Sequence, residues 1–198
     1  VGPATVAANM RGVRDFLTDC HDRPKCAEKL LRVILETLLD MVRELAAVGA
    51  AYIYSADPVA SLFSPAIYEE SILPVHNALF AEMKKLGIHG RLHMCGSTET
   101  ILPYSSTCGA EIIDIDHTTD FTKALAAVKG RCVLNGNIDP IADVYQCDAA
   151  HTKAAILRCE EITRGSRALF MPGCELPTAT PLENARAIHT ALCQIGPR

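Results

Sequence analysis

A histidine and a cysteine stand two positions apart in LHMCGST (92–98), just ahead of a glycine. Imidazole nitrogen and thiolate sulfur are both zinc ligands. In an extended strand, residues i and i+2 face the same side, so His93 and Cys95 point together while Met94 points away. Two donors are half a site, and packing is the competing reading, since free cysteine is among the most buried residue types. A third donor, Cys174, lies in PGCELP (172–177), a loop bounded by proline and glycine that directly follows a predicted strand. Three ligands of Cys2His type leave one position of a tetrahedral ion open, which is the arrangement of a catalytic zinc. Asp116, the last residue of EIIDID (111–116), could fill that position at rest.

Such residues act together only on a scaffold that gathers several strand ends. Apolar spacing predicts a helix over 26–48. AAYIYSA (50–56) reads as a short buried strand, and Ser64 followed by Pro65 opens a helix to about Leu86. GRLHMC (90–95), EIIDID (111–116), RCVLNGN (131–137) and RALFMPG (167–173) read as further strands. Helices are expected over 98–107, 119–128, 140–163 and 181–192. VGPATVAANMRG (1–12) reads as the end of a preceding strand and the loop after it.

Strand–helix alternation repeated five times means an α/β fold with a parallel sheet. The choice lies between an open doubly wound sheet and a (β/α)8 TIM barrel. Asp57 follows the first strand, His93 and Cys95 end the second, and Asp116 ends the third. Asn137 and Asp139 follow the fourth, and Cys174 follows the fifth. Ligand-type residues at the same end of successive strands fit the catalytic face of a barrel. Neither GxGxxG nor GxxxxGK[ST] occurs, which weakens the nucleotide-binding open sheet. The expectation is one incomplete TIM-barrel domain over 1–198, covering roughly the last five to six βα units. The earlier strands are expected to be truncated or supplied in trans.

The chain has 198 residues, 49% of them hydrophobic, with a formal net charge of −4. No basic stripe points to nucleic acid, no apolar run approaches the ~20 residues that span a bilayer, and residues 1–12 lack the pattern of a signal peptide. Nine cysteines, odd in number and irregularly spaced, argue against a disulfide framework and for a reducing cytoplasm. Cys20, Cys26, Cys108, Cys132, Cys147, Cys159 and Cys193 are expected to pack. Asp57 either caps its turn before Pro58 or lines the pocket. Asn137 and Asp139 either cap the helix near Pro140 or contact substrate. Tyr54 is expected in the core, His76 and His189 as surface or packing residues, and His117 as an exposed loop residue or a partner of Asp116. EMKK (82–85) reads as a solvated helix face.

The stretches SADPVASLFSPAIYEESILPVHNALFAEMKKLG, LHMCGSTETILP, DIDHTTDF, LNGNIDP and PGCELPTATPLENARAI carry a resemblance along nearly the whole chain. The sequence resembles the uroporphyrinogen decarboxylase superfamily, and within it the zinc-dependent methylcobamide:coenzyme M methyltransferases. Decarboxylases of the superfamily carry glycine-histidine where this chain has Gly173-Cys174. The resemblance implies zinc ligands His93, Cys95 and Cys174, with a carboxylate near Asp116 as a fourth ligand in the free enzyme. It implies methyl transfer between a corrinoid (methylcobamide) protein and a small thiol such as coenzyme M, the chemistry of methanogenesis. Two thiolates and a neutral imidazole cancel the charge of zinc, so an incoming thiolate keeps an electron-rich sulfur. Two alternatives stay open. One is a tetrapyrrole decarboxylase of porphyrin biosynthesis, with no metal and a basic pocket. The other is a non-catalytic zinc- or corrinoid-binding fragment. A homo-oligomer or a partner polypeptide could complete the barrel.

Overall fold

A computed structural model of the chain describes residues 1–196. The described residues divide into two compact units, residues 1–94 with 100–113, and residues 95–99 with 114–196.

The first unit opens with three helices, α1 (Pro3–Arg11), α2 (Val13–Asp22) and α3 (Pro24–Ala47). The expected strand end at the N-terminus is therefore replaced by a helix. Pro3 suits the first helical position because its missing N–H would go unbonded there anyway. The buried face of α1 is Pro3, Ala4, Ala7 and Ala8, which leaves almost no apolar contrast to read. α3 is plain by comparison: Ala27, Leu31, Ile34, Leu38 and Val42 recur at three- and four-residue spacing and are all buried. Each such leucine or isoleucine contributes roughly 1.5–3 kcal/mol by leaving water. Phe16 of α2 meets Phe63 edge-on, with ring centres 5.8 Å apart.

Strand β1 (Tyr52–Ala56) follows, then a 3-10 turn (Pro58–Leu62) and α4 (Pro65–Ile67), which runs through a π-helical turn (Tyr68–Ile72) into α5 (Leu73–Lys85). Ser64 caps this helix as expected, accepting from the N–H of Ile67. The π turn leads directly into Pro74, which has no N–H for the carbonyl four residues earlier. β2 (His89–His93) and α6 (Leu102–Ser105) complete the unit. β1 and β2 are parallel, Tyr52 opposite His89 through Ala56 opposite His93.

β3 (Ile112–Asp114) leads into the second unit, which holds α7 (Phe121–Val128), β4 (Val133–Ile138), a π-helical turn (Pro140–Tyr145), α8 (Ala149–Ile162), β5 (Ala168–Pro172) and α9 (Leu182–Ile195). The helix expected over 140–163 is thus two pieces, because Asp148 caps a new start by accepting from His151 N–H. The buried Asn184 of α9 donates to the carbonyls of Val144 and Cys147 and so fastens the break between them. β4 and β5 are parallel, Leu134 opposite Ala168 through Ile138 opposite Pro172.

The five strands neighbour one another in chain order, β1-β2-β3-β4-β5. A parallel sheet in chain order with helices between the strands is the (β/α)8 pattern, and five of its strand–helix units are present. β1 lies at the end of that order, with one strand neighbour. This explains why the expected buried strand leaves Tyr52 and Tyr54 each 44% exposed. Among the described residues no helix is long and apolar enough to cross a membrane.

Candidate metal centre

Two thiols from distant parts of the chain meet in the second unit. Cys95 lies just beyond β2 and Cys174 just beyond β5, and their Sγ atoms are 3.1 Å apart. Neither is in a disulfide, and both are half-buried. Burial pushes the Cys95 thiol up to about 12, and Cys174, Asp116 and Asp114 push it the same way. Without a cation Cys95 therefore keeps its proton. A divalent ion is what would displace it, because thiolate is the form that binds metal. Cys174 reaches this place because Gly173 has no side chain. A Cβ there would stand 2.7 Å from the His117 nitrogen and 3.0 Å from the Asp116 Cα. The Gly173 N–H also donates to the Ile138 carbonyl at 2.9 Å, holding the loop against the end of β4.

His93, the last residue of β2, is 7% exposed. Its carbonyl accepts from the Asp57 N–H at 2.8 Å. His93, Cys95 and Cys174 form a group that could hold a metal ion, and that group does not include Asp116.

Asp116 is buried beside the thiols, and its oxygens are well supplied with donors. One accepts from the Gly96 N–H at 3.1 Å, and the other from the Thr118 N–H and hydroxyl at 3.0 and 3.1 Å. Burial alone would raise its pKa. The hydrogen bonds from Thr118 and Gly96, with His117 nearby, outweigh this and hold the carboxyl below its ordinary value. His117 is exposed and bridges Asp116, 2.9 Å from Nδ1, and Asp139, 3.5 Å from Nε2.

Asn137 uses its amide to donate to the carbonyls of Asp116 and Thr119, at 3.3 and 2.6 Å, which ties down the loop after β3. Asp139 caps the π turn, accepting from Ile141 and Ala142 N–H at 2.7 and 3.1 Å. Asp57 has no exposure at all. Its carboxylate accepts from Ala4 N–H, Thr5 N–H and the Thr5 hydroxyl at 3.0, 2.6 and 2.7 Å, and lies 2.9 Å from His76 Nε2. The first turn of α1 is thereby seated on Asp57, so closely that a side chain at Gly2 would collide with it.

Several polar residues escaped the sequence reading. His76, expected at the surface or in packing, is buried with both ring nitrogens engaged, by Asp57 and by the Tyr68 hydroxyl at 2.9 Å. Asn135 and Asp114 are buried on adjacent strands and joined at 2.7 Å. Tyr54 is not in the core; its ring stands 5.6 Å from that of His93 and carries the Arg91 guanidinium at 4.9 Å. Cys26 and Cys193, expected to pack, are exposed. Glu82 of the EMKK patch is largely covered and pairs with Arg43 at 2.7 Å. Period-2 alternation on β2 could have found Arg91, but nothing local marks His76 as a partner of Asp57.

The model of the uroporphyrinogen decarboxylase (URO-D) family matches residues 1–194. A methylcobamide:CoM methyltransferase of Methanosarcina barkeri is 26% identical over 96% of this chain and 55% of its own length. A uroporphyrinogen decarboxylase of Carboxydothermus hydrogenoformans is 24% identical over 83% of this chain and 47% of its own. A solved methyltransferase from Methanosarcina mazei superposes with a TM-score of 0.88 at 25% identity, covering 98% of this chain and 57% of that one. The chain thus spans about half the length of the curated relatives it matches.

Proposed function

The chain belongs to the uroporphyrinogen decarboxylase family, and on that premise we propose that it is part of a zinc-dependent methyltransferase. It would move a methyl group between a corrinoid (methylcobamide) protein and a small thiol such as coenzyme M, in the cytoplasm. The observation that carries this reading is the Cys95–Cys174 thiol pair, 3.1 Å apart, with His93 two residues before Cys95.

The donor set suits the ion. One imidazole and two sulfurs are borderline-soft ligands of the kind zinc takes, with a fourth position left for substrate. Neither sulfur is spent in a disulfide. His93, Cys95 and Cys174 would hold the metal, which when bound supplies a thiol substrate with thiolate character at neutral pH. Asp116, kept ionised by Gly96 and Thr118, lies outside that donor group and would add negative charge beside it. Asn137 and Asp139 steady the loop ends around it. The decarboxylase reading draws on the Carboxydothermus relative, but gives the paired thiols no task.

Zinc content of the purified chain, under reducing and chelator-free conditions, tests the reading. About one zinc per chain is expected, with Cys174→Ala weakening affinity at least about 100-fold. Transfer from methylcobalamin to a thiol, assayed on the whole protein, is the second step. A wild type that takes up no zinc sinks the methyltransferase reading and leaves the decarboxylase one.

A further inference from the structure

Cys95 follows β2 and Cys174 follows β5, 79 positions apart in the chain, yet their Sγ atoms lie 3.1 Å from one another. Neither is in a disulfide, and both are half-buried, so a small solute can reach them. A tetrahedral zinc with Zn–S bonds of about 2.3 Å would hold two sulfurs about 3.8 Å apart. A disulfide holds them about 2.05 Å apart. The pair therefore stands between the two bonded states, and a shift of about 1 Å reaches either.

The local chain allows that shift. Cys174 sits in the loop between β5 and α9, and Cys95 stands just past β2, directly before Gly96. Rotation about a single side-chain torsion moves a sulfur by this much. The two bonded states exclude each other. Zinc binds thiolate, and a disulfide sulfur is no longer one. Oxidation would thus remove two donors of the His93, Cys95 and Cys174 group at once, and leave the imidazole as its one donor.

We propose that Cys95 and Cys174 form a redox gate on the metal site: a small disulfide converts them to one protein disulfide that shuts zinc out, and bound zinc keeps them reduced. One cysteine thiolate attacks a sulfur of the small disulfide and expels a first small thiolate. The second cysteine attacks the mixed disulfide at the protein sulfur and expels another. The two protein sulfurs give up two electrons, the S–S bond of the reagent accepts them, and the two cysteine protons end on two released small thiols. The metal half of the gate rests on the zinc reading above; formation of the disulfide does not.

The test uses the chain with Cys26→Ser and Cys193→Ser, so that the two exposed thiols form no background adducts. Metal-free and zinc-loaded samples stand for hours in glutathione buffers of rising oxidised share, because Cys95 gives up its proton reluctantly. They are then quenched in acid and mapped by mass spectrometry. After glutathione is removed, zinc affinity is read by competition with a chromophoric chelator, before and after reduction by a phosphine. The expected result is a Cys95–Cys174 disulfide in the metal-free sample, less of it in the zinc-loaded one, and zinc affinity at least about 100-fold weaker until the phosphine restores it. Glutathione adducts or other cysteine pairs in place of that link overturn the gate. So does a Cys95–Cys174 disulfide that leaves zinc affinity unchanged, or that forms as fully with zinc as without. In each of these cases zinc uptake by the reduced protein leaves the metal reading standing. Reduced protein that takes up no zinc overturns the metal reading and the gate with it.

Discussion

Asp57 and Asp116 occupy equivalent places, each at or just past the C-terminal end of a strand and each in contact with a histidine. Their surroundings differ. Asp57 is sealed: its oxygens are taken by two backbone N–H groups, a hydroxyl and His76, and His76 passes the network on to Tyr68 with no exposure at any of the three residues. Asp116 is buried too, but its histidine is exposed and its neighbours are two half-buried thiols that find each other. A carboxylate sealed from solvent together with its partners is structural. One beside two half-buried thiols is where a ligand can enter.

The sharpest way to break this contrast is Asp57→Ala. It strips the acceptor from Ala4, Thr5 and His76 at once, and each buried donor left unsatisfied costs about 1–3 kcal/mol. A loss of about 3–5 kcal/mol is expected in urea unfolding. A loss under about 1 kcal/mol would mean that Asp57 is not a sealed structural partner.

Asp116 predicts a smaller effect with a definite pH dependence. Its folded pKa is depressed, so its ionised form adds stability that is present above the unfolded carboxyl pKa of about 4 and lost as pH falls through the folded value. Asp116→Asn should therefore cost on the order of 1 kcal/mol at pH 7, after allowance for solvent screening, and converge on wild type as pH falls below the folded value. Unfolding curves at several pH values check this; a gap that widens toward acid would reverse the sign.

Much of the fold could be read from patterns that are local. Leu31, Ile34, Leu38 and Val42 announce α3, and Ser64-Pro65 announces the start of α4. α1 was hidden because an alanine face looks like any small-residue stretch. β1 read as buried because a short apolar run does not tell an edge strand from a central one. The thiols were legible because LHMC and PGC each put a donor at a strand end. Asp57 and Asp116 could not be told apart in the same way. The donors that close Asp57 lie 52 and 53 residues away, a pairing that only the folded chain makes.

The smallest effect concerns rates rather than stability, and it asks whether the open site is open to reagents. At pH 8 in metal-free protein, Cys26 and Cys193 should alkylate first, because both are exposed. Cys95 is only half-buried, yet its thiol is pushed from 9.0 to about 12, which leaves roughly a thousandfold less thiolate to react. It should label slowly for an electrostatic reason, not a steric one. Cys132 is buried as well as raised to about 11, and should label only on unfolding. Raising the pH separates the two causes: Cys95 speeds up in the folded protein, whereas Cys132 waits for the chain to open. Mass spectrometry of quenched samples reads both. Equal protection of Cys95 and Cys132 at every pH below unfolding would close the second site as firmly as the first.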